Sequence, residues 1–260
     1  MSFFIKNLVK LPILKRLIPS LLKKYIFFFN NYQKKIFVNN IHYELDLRHF
    51  IDRRFFLHRT YEEELFTPLS EVIKRYNADF FFDVGSCWGI YSLRFSNIYN
   101  NLNILAFDPI KKNIDRLNNS IIKNNISNIK TFHTAIGRNE GFVELGATED
   151  YSPNFEINEI KAVIKEKSKL NFLDNMFEFK NKFLVFKIDT EGFEHEVLVG
   201  AKKLLNNNNC ILQVEVKNKN FQNVVNFLNS LSYIQISDNI NNKTDFFFQI
   251  LLKKKLKFRF

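Results

Sequence analysis

Short apolar runs alternate with longer amphipathic runs from about residue 80 onward, and this alternation constrains the fold more than any other feature. Short runs rich in Phe, Ile and Val are typical of strands. Runs with apolar residues three and four positions apart are typical of helices. Strands that alternate with helices predict a parallel sheet with helices on both faces. The predicted strands are 79–84, 103–108, 129–136, 183–189, 210–216, 233–237 and 245–252, and the predicted helices are 88–99, 111–125, 193–206 and 218–231.

Two segments depart from the alternation. The connection between the last two predicted strands is rich in Asn and too short for a crossover helix, so these strands should form an antiparallel hairpin. The expected fold is therefore α/β and Rossmann-like, with seven mostly parallel strands and a final antiparallel hairpin. Residues 138–180 interrupt the pattern with a predicted hairpin, RNEGFVELGATED, and a predicted helix or ordered loop, NEIKAVIKEKSKL. Ligands of open parallel sheets bind beyond the carboxyl ends of the strands, so this insertion is a candidate substrate lid.

The chain keeps only seven glycines, and two of them stand in the stretch DVGSCWG. Gly85 and Gly89 follow a strand that ends at Asp83, which predicts a tight turn where a ligand approaches the backbone. The stretch lacks the third glycine of the dinucleotide fingerprint and any Lys or Arg that would neutralise phosphates. Asp108 ends the next strand, where a carboxylate can accept both hydroxyls of a ribose. These features favour S-adenosylmethionine over NAD.

A third candidate element is the stretch FKIDTEGFEHEVLVGAKKLL. Lys187, Asp189 and Glu191 occupy alternate positions, so in an extended segment they point to one side. Gly192 then permits the turn into a helix. An alternative is a polar strand end with an acid that caps this helix. Three ionisable groups at a ligand-facing strand end favour a functional site.

The net charge of +11 is concentrated at the two ends of the chain. We expect a basic, amphipathic N-terminal extension over residues 1–59, a catalytic domain over 60–252 and a basic tail over 253–260. No apolar span is long enough for a transmembrane helix, but residues 1–38 have the aromatic and basic character of a segment that binds an anionic membrane surface. Packing of this segment on the domain is the alternative. The slightly acidic middle offers no continuous basic path for nucleic acid, and two cysteines without a disulfide framework indicate a cytoplasmic protein.

The quoted stretches, together with AFDPIKKNIDRLNNSIIKNN, HTAIGRNEG and QVEV, resemble the FkbM family of S-adenosylmethionine-dependent methyltransferases in order and spacing. The resemblance covers roughly residues 55–216 and implies a class I methyltransferase fold and methyl transfer to a hydroxyl, often on a sugar or glycan. It also implies that the DVGSCWG turn holds the cofactor and Asp108 the ribose, with Ala135 and Ile136 along the adenine. The family usually has Glu where this chain has Asp108, and Ala-Asn-Ile where it has residues 86–88.

Methyl transfer to an alcohol needs a positioned hydroxyl and a group that helps to remove its proton. We expect Asp189 to be the base or orienting acceptor, with Glu191 as the second candidate and Lys187 holding the carboxylates or the acceptor. The acid pair could instead bind Mg²⁺, and the residues do not decide between these routes. His195, just after the acids, is a weaker candidate base. The competing functions are a nicotinamide-dependent oxidoreductase and a non-catalytic, membrane-associated adaptor.

Overall fold

The computed structural model describes residues 24, 32–147, 156–157, 164–235, 240–241 and 247–254. The strands are β1 (Gln33–Val38), β2 (Ile41–Asp46), β3 (Phe80–Val84), β4 (Asn103–Asp108), β5 (Ile129–His133), β6 (Ala135–Ile136), β7 (Gly141–Ala147), β8 (Glu156–Ile157), β9 (Ile164–Asn171), β10 (Phe183–Ile188), β11 (Asn209–Lys217), β12 (Tyr233–Gln235), β13 (Ile240–Asn241) and β14 (Phe247–Lys254). The helices are α1 (Phe50–His58), α2 (Glu63–Tyr76), α3 (Ile90–Ile98), α4 (Lys111–Lys123), α5 (Leu173–Met176), α6 (Glu194–Val199), α7 (Lys202–Asn207) and α8 (Asn218–Ser230).

The main sheet has the order β12-β14-β11-β10-β3-β4-β5, with β13 paired to β14. The five strands from β11 to β5 are parallel, and β14 is antiparallel to β11 and β12. This confirms the parallel sheet with an antiparallel end. The expected number of seven strands is wrong for the part of this sheet that the structure describes, where β13 also pairs with β14 and makes eight. The chain runs outward from β3 to β5 and then continues on the other side of β3 at β10, which places a topological switch point between β3 and β10.

Helices cover both faces of the main sheet, as the alternating pattern predicted. Successive side chains of a strand point to opposite faces. Phe81 and Val185 therefore pack with α2, α3 and α4 on one face. Phe82 and Phe186 pack with α6, α7 and α8 on the other face.

The described strands of the insertion, β7, β8 and β9, form a second sheet together with β6, in the order β6-β9-β7-β8. The prediction of a helix or ordered loop for NEIKAVIKEKSKL is wrong over 164–170. These residues belong to β9 and pair antiparallel with β7. The alternation explains this, since Lys165, Lys167 and Lys169 are exposed while Ser168 between them is buried. That period of two fits a strand and not a helix. The rest of the candidate lid, 148–155 and 158–163, lies outside the described residues.

Two other predicted elements are divided in the structure. The strand expected over 129–136 ends at His133, and the two residues of β6 after Thr134 belong to the second sheet. The helix expected over 193–206 is split into α6 and α7 near Gly200. A Cβ at Gly200 would lie 1.9 Å from the backbone oxygen of Gly137, so the chain passes too close there for any side chain.

The segment from β1 to α1, which the sequence analysis assigned to the N-terminal extension, packs into the main core. β1 and β2 form an antiparallel hairpin, and Leu45 and Phe55 share a buried cluster with Phe81 of the central strand. No helix among the described residues is long and apolar enough to cross a membrane. Most of the predicted membrane-binding segment, residues 1–23 and 25–31, and most of the predicted basic tail, 255–260, lie outside the described residues.

Candidate functional site

A cavity of about 330 Å³ opens at the carboxyl ends of the parallel strands, beside the switch point. That volume is within the range of small-molecule sites. Its walls come from the ends of β3, β4, β10 and β11, from β6 and β7, and from the segment around α1 and the start of α2. The cavity is therefore shared between the sheet, the insertion and the N-terminal part of the chain.

Four residues form a row across the strand ends under this cavity. The Gly85 N–H donates to the Phe107 carbonyl at 3.0 Å, and the Asp189 N–H donates to the Val84 carbonyl at 3.0 Å. These bonds continue the ladders of β3 with β4 and β10, and the register of β10 with β11 brings Glu215 level with Asp189. The order across the sheet is Asp108, Gly85, Asp189 and Glu215, with neighbouring strands about 4.8 Å apart.

The two glycines of DVGSCWG serve different contacts. Gly85 has φ of 79°, and a Cβ there would lie 1.8 Å from the backbone oxygen of Asp189. Gly85 also lines the cavity, whereas Gly89 does not. Gly89 has φ of 80°, and its Cβ would lie 2.4 Å from the Leu117 side chain on α4. The first glycine lets β3 and β10 approach each other beside the cavity, and the second lets α3 pack on α4.

Asp83, which was expected to form the cofactor turn with these glycines, lies beneath the cavity and does not line it. Its side chain is buried and accepts a hydrogen bond from the Ser92 hydroxyl at 2.6 Å. Burial raises the pKa of Asp83, and the charge of Lys187 and the Ser92 hydrogen bond oppose that effect. Asp83 therefore contributes a hydrogen bond to Ser92 and a charge near Lys187, and it does not contact the cavity.

Asp108 lines the cavity in a preorganised arrangement. Its carboxylate accepts hydrogen bonds from the Cys87 N–H at 2.8 Å, the Ile110 N–H at 2.9 Å and the Asn113 side-chain amide at 3.0 Å. Burial raises the pKa of Asp108 to about 7, although these hydrogen bonds favour the ionised form. The side chain is held in one orientation at the strand end, where a ribose would offer two hydroxyls to a carboxylate.

An apolar slot adjoins Asp108. Ala135, Ile136, Ile110 and Leu145 line it, and all four side chains are buried in the protein. An apolar wall next to a carboxylate at a strand end is the arrangement expected of a site for an adenosine. Among the described residues that line the cavity there is no Lys or Arg, so the lining offers no cation for the pyrophosphate of a dinucleotide.

The other end of the cavity is ionic. The Lys187 ammonium donates to Asp189 Oδ2 at 2.8 Å, and the Lys187 side chain is only 8% exposed. Burial alone would lower the pKa of Lys187, but the carboxylates of Asp189, Asp83 and Glu62 raise it well above its usual value. Lys187 stays a cation beneath the cavity, and Asp189 and Glu191 line it. The structure thus brings together the three residues of the predicted catalytic group.

Sequence reasoning missed two acids of this end. Glu62 and Glu215 both line the cavity. Burial raises the pKa of Glu62, whose carboxylate accepts the Tyr91 hydroxyl at 3.1 Å. Burial, and then the negative charge of Asp189, raise the pKa of Glu215 to about 8. The signals were present in the stretches RRFFLHRTYEEEL and QVEV, but neither stretch shows which of its acids faces a ligand.

The geometry supports neither a role of His195 as the base nor the binding of Mg²⁺ by the acid pair. His195 does not line the cavity, and its Nδ1 lies 3.6 Å from Glu196 on the same helix. Within the described part of the chain, no group of three His, Cys, Asp or Glu side chains could hold a metal ion.

Solved structures similar to this chain include several methyltransferases, all at low identity. A methyltransferase FkbM from Methylobacillus flagellatus is 15% identical with a TM-score of 0.49, and the match covers 76% of this chain and 52% of that one. This chain therefore spans about half the length of that protein. A putative rRNA methylase from Clostridium thermocellum is 12% identical with a TM-score of 0.48, covering 75% and 97%. A putative methyltransferase from Streptococcus mutans, solved in complex with SAH, is 13% identical with a TM-score of 0.44, covering 68% and 88%.

The family assignment comes from sequence. No curated protein sequence matches this chain significantly. The sequence model of the methyltransferase FkbM domain matches residues 83–236, which is more than half of the chain and includes every strand end that forms the site from Asp83 to Glu215. The chain belongs to the FkbM family of S-adenosylmethionine-dependent methyltransferases.

Proposed function

We propose that this protein transfers the methyl group of S-adenosylmethionine to a hydroxyl oxygen of a small acceptor, such as a sugar or a glycan. The observation that carries the proposal is the division of one cavity into two ends. One end has Asp108 and an apolar slot, which suit an adenosine, and the other has the Lys187–Asp189 ion pair, which suits a polar acceptor. The family supports methyl transfer, and the acceptor class rests on the resemblance and on this ionic end.

Each group of residues that lines the cavity has a separate role in the proposed reaction. Bound S-adenosylmethionine supplies a methyl group that its sulfonium has already activated. Asp108 would accept the ribose hydroxyls, and Ala135 and Ile136 would contact the adenine. Asp189, held in place by Lys187, would accept a hydrogen bond from the acceptor hydroxyl and orient its oxygen. Orientation of this kind contributes much of the rate enhancement of a two-substrate reaction.

The first test is calorimetric titration with S-adenosylhomocysteine. We expect micromolar binding to the unchanged protein and loss of binding in Asp108→Ala, because that substitution removes the ribose acceptor. NADH is the rival ligand in a parallel titration. Binding of NADH in place of S-adenosylhomocysteine would move the function to an oxidoreductase, and binding of neither would favour the adaptor.

The second test addresses the acceptor. Transfer of a labelled methyl group from S-adenosylmethionine is measured with a panel of monosaccharides, methyl glycosides and, as non-hydroxyl controls, primary amines and thiols. Label in an O-methyl product supports the proposal. Label only in an N- or S-methyl product would contradict the hydroxyl assignment while leaving the cofactor in place.

We further propose that the protein is cytoplasmic and that its N-terminal segment holds it at an anionic membrane surface. The basic and aromatic composition of residues 1–31 supports this. β1 begins at Gln33 and pairs with β2, so a truncation should remove 1–31 and spare the hairpin. We expect the full chain to sediment with anionic liposomes more than with neutral ones, and the truncated chain to lose that preference. Equal sedimentation of both forms would contradict the membrane role.

A further inference from the structure

Asp189, the expected base, is already engaged by a cation. Its Oδ2 accepts a hydrogen bond from the Lys187 ammonium at 2.8 Å, and Lys187 is buried. This charge-assisted hydrogen bond is among the stronger interactions of a protein, and it fixes the orientation of the Asp189 carboxylate. Asp189 is therefore well placed to hold and orient a hydroxyl.

Glu215 lies next to Asp189 at the same level of the sheet. The parallel register pairs Lys187 with Gln213 and Ile188 with Val214, so the following positions bring Glu215 beside Asp189. Both side chains line the cavity. A hydroxyl held by Asp189 would therefore lie within reach of a carboxylate on the neighbouring strand.

The charges around Glu215 come from three elements. Lys187 lies on β10, Asp189 and Glu191 lie in the loop that follows β10, and Glu62 directly precedes α2. Burial, Asp189, Glu62 and Glu191 favour its protonated form, and Lys187 opposes them. The result is a pKa of about 8, in the range where a carboxylate is an effective proton acceptor near neutral pH.

A second glutamate of the cavity, Glu62, is half-buried and is held by phenols. Glu62 already accepts the Tyr91 hydroxyl at 3.1 Å, and its pKa also responds to a hydrogen bond with Tyr61. These two phenols fix the Glu62 side chain against the wall of the cavity. Glu62 therefore contributes charge and shape to the acceptor end.

We propose that Glu215 is the carboxylate that takes the proton of the acceptor hydroxyl, while the Lys187–Asp189 pair holds that hydroxyl in position. This inference rests on the proposed hydroxyl methylation. In the step, the hydroxyl oxygen forms a bond to the methyl carbon and the carbon–sulfur bond breaks with its electrons going to sulfur. The hydroxyl proton passes to the Glu215 carboxylate. The products are the methyl ether, neutral S-adenosylhomocysteine and protonated Glu215.

The first experiment needs no acceptor. The full chain is labelled with ¹³C at the glutamate carboxyl carbons and titrated by NMR between pH 4 and 10, with Glu215→Gln to assign the Glu215 signal. We expect a midpoint near pH 8, and a lower midpoint in Asp189→Asn because the neighbouring negative charge is gone. A midpoint in the ordinary glutamate range of about 4 to 5 would overturn the proposal.

The second experiment measures methyl transfer against pH with the monosaccharide and methyl glycoside panel, at concentrations of S-adenosylmethionine that saturate the protein at every pH, so that the ionisation of Asp108 does not contribute to kcat/KM for the acceptor. The proton acceptor must be ionised, so kcat/KM should rise with pH and level off above about pH 8. Glu215→Gln should lower kcat by roughly 10²- to 10⁴-fold and remove this rise, with unchanged affinity for S-adenosylhomocysteine. Asp189→Asn should keep the rise but move it to lower pH. Glu144→Gln, on the exposed face of β7, is the matched control and should change neither kcat nor the pH dependence of kcat/KM.

The two proposals fail in different ways. If Asp189→Asn loses the rise of kcat/KM with pH and Glu215→Gln retains it, the base is Asp189. That result would overturn the inference about Glu215 and leave the proposed function intact. If the rise with pH is retained in both Asp189→Asn and Glu215→Gln but lost in Glu191→Gln, the base is Glu191, and the inference about Glu215 is overturned as well. Failure of the protein to bind S-adenosylhomocysteine would instead remove the proposed function, whatever the titration of Glu215 shows.

Discussion

At the scale of the residue, Asp108 should make cofactor binding depend on pH. The pKa of its carboxyl is about 7 because the side chain is buried, and only the ionised form can accept both ribose hydroxyls. Protonation below pH 7 should therefore weaken the binding of S-adenosylhomocysteine, by about tenfold between pH 8 and pH 6. Calorimetric titration across this range checks it. Asp108→Asn should bind weakly at every pH, and Asp115→Asn, exposed on α4, should keep the pH dependence. A flat profile in the unchanged protein would contradict the role of Asp108.

At the scale of the element, the junction of α6 and α7 should tolerate no side chain at Gly200. Gly200 has φ of −72° and ψ of −6°, a helical conformation in which Ala is normally stabilising. Here a Cβ would lie 1.9 Å from the Gly137 backbone oxygen. We expect Gly200→Ala to lower the free energy of unfolding by roughly 1–3 kcal/mol, as measured by urea denaturation. Asn223→Ala, on the exposed side of α8, should be neutral or slightly stabilising. A stabilised Gly200→Ala would show that the two segments move apart freely.

At the scale of the whole molecule, the hairpin and the central sheet should unfold together. Leu45 of β2 and Leu184 of β10 are both fully buried, and β10 contributes residues to both large core clusters. Leu45→Ala and Leu184→Ala should each cost about 2–5 kcal/mol and lower the midpoint of one shared thermal transition. Scanning calorimetry checks this. A second transition, shifted by Leu45→Ala alone, would make residues 33–58 a separate unit.

Features of the fold that depend on local patterns were predictable from the sequence. The strands that end at Asp108 and Ile188 are short apolar runs bounded by polar residues, and the helices between them carry apolar residues on one side. The family resemblance was also carried by stretches that are continuous in the chain, and the match over residues 83–236 confirms it. Asp108, Asp189 and Glu191 could be named because each lies at the end of a predicted strand or just after it, and parallel strands place their carboxyl ends at one edge of a sheet.

Features that depend on contacts between distant segments were not predictable. The segment 164–170, predicted as a helix or ordered loop, pairs as β9 with β7. The helix predicted over 193–206 is divided at the place where Gly137 approaches Gly200.

The sequence alone determined the parallel sheet, the glycine turn after β3 and the family, because these follow from the order of residues within short segments. Only the tertiary structure decided which acids share the cavity. Glu62 reaches it because α1 and α2 fold over the strand ends, and Glu215 reaches it because β11 lies beside β10. Burial and the charge of a neighbouring strand then set the pKa of Glu215. No pattern within a single segment records that environment.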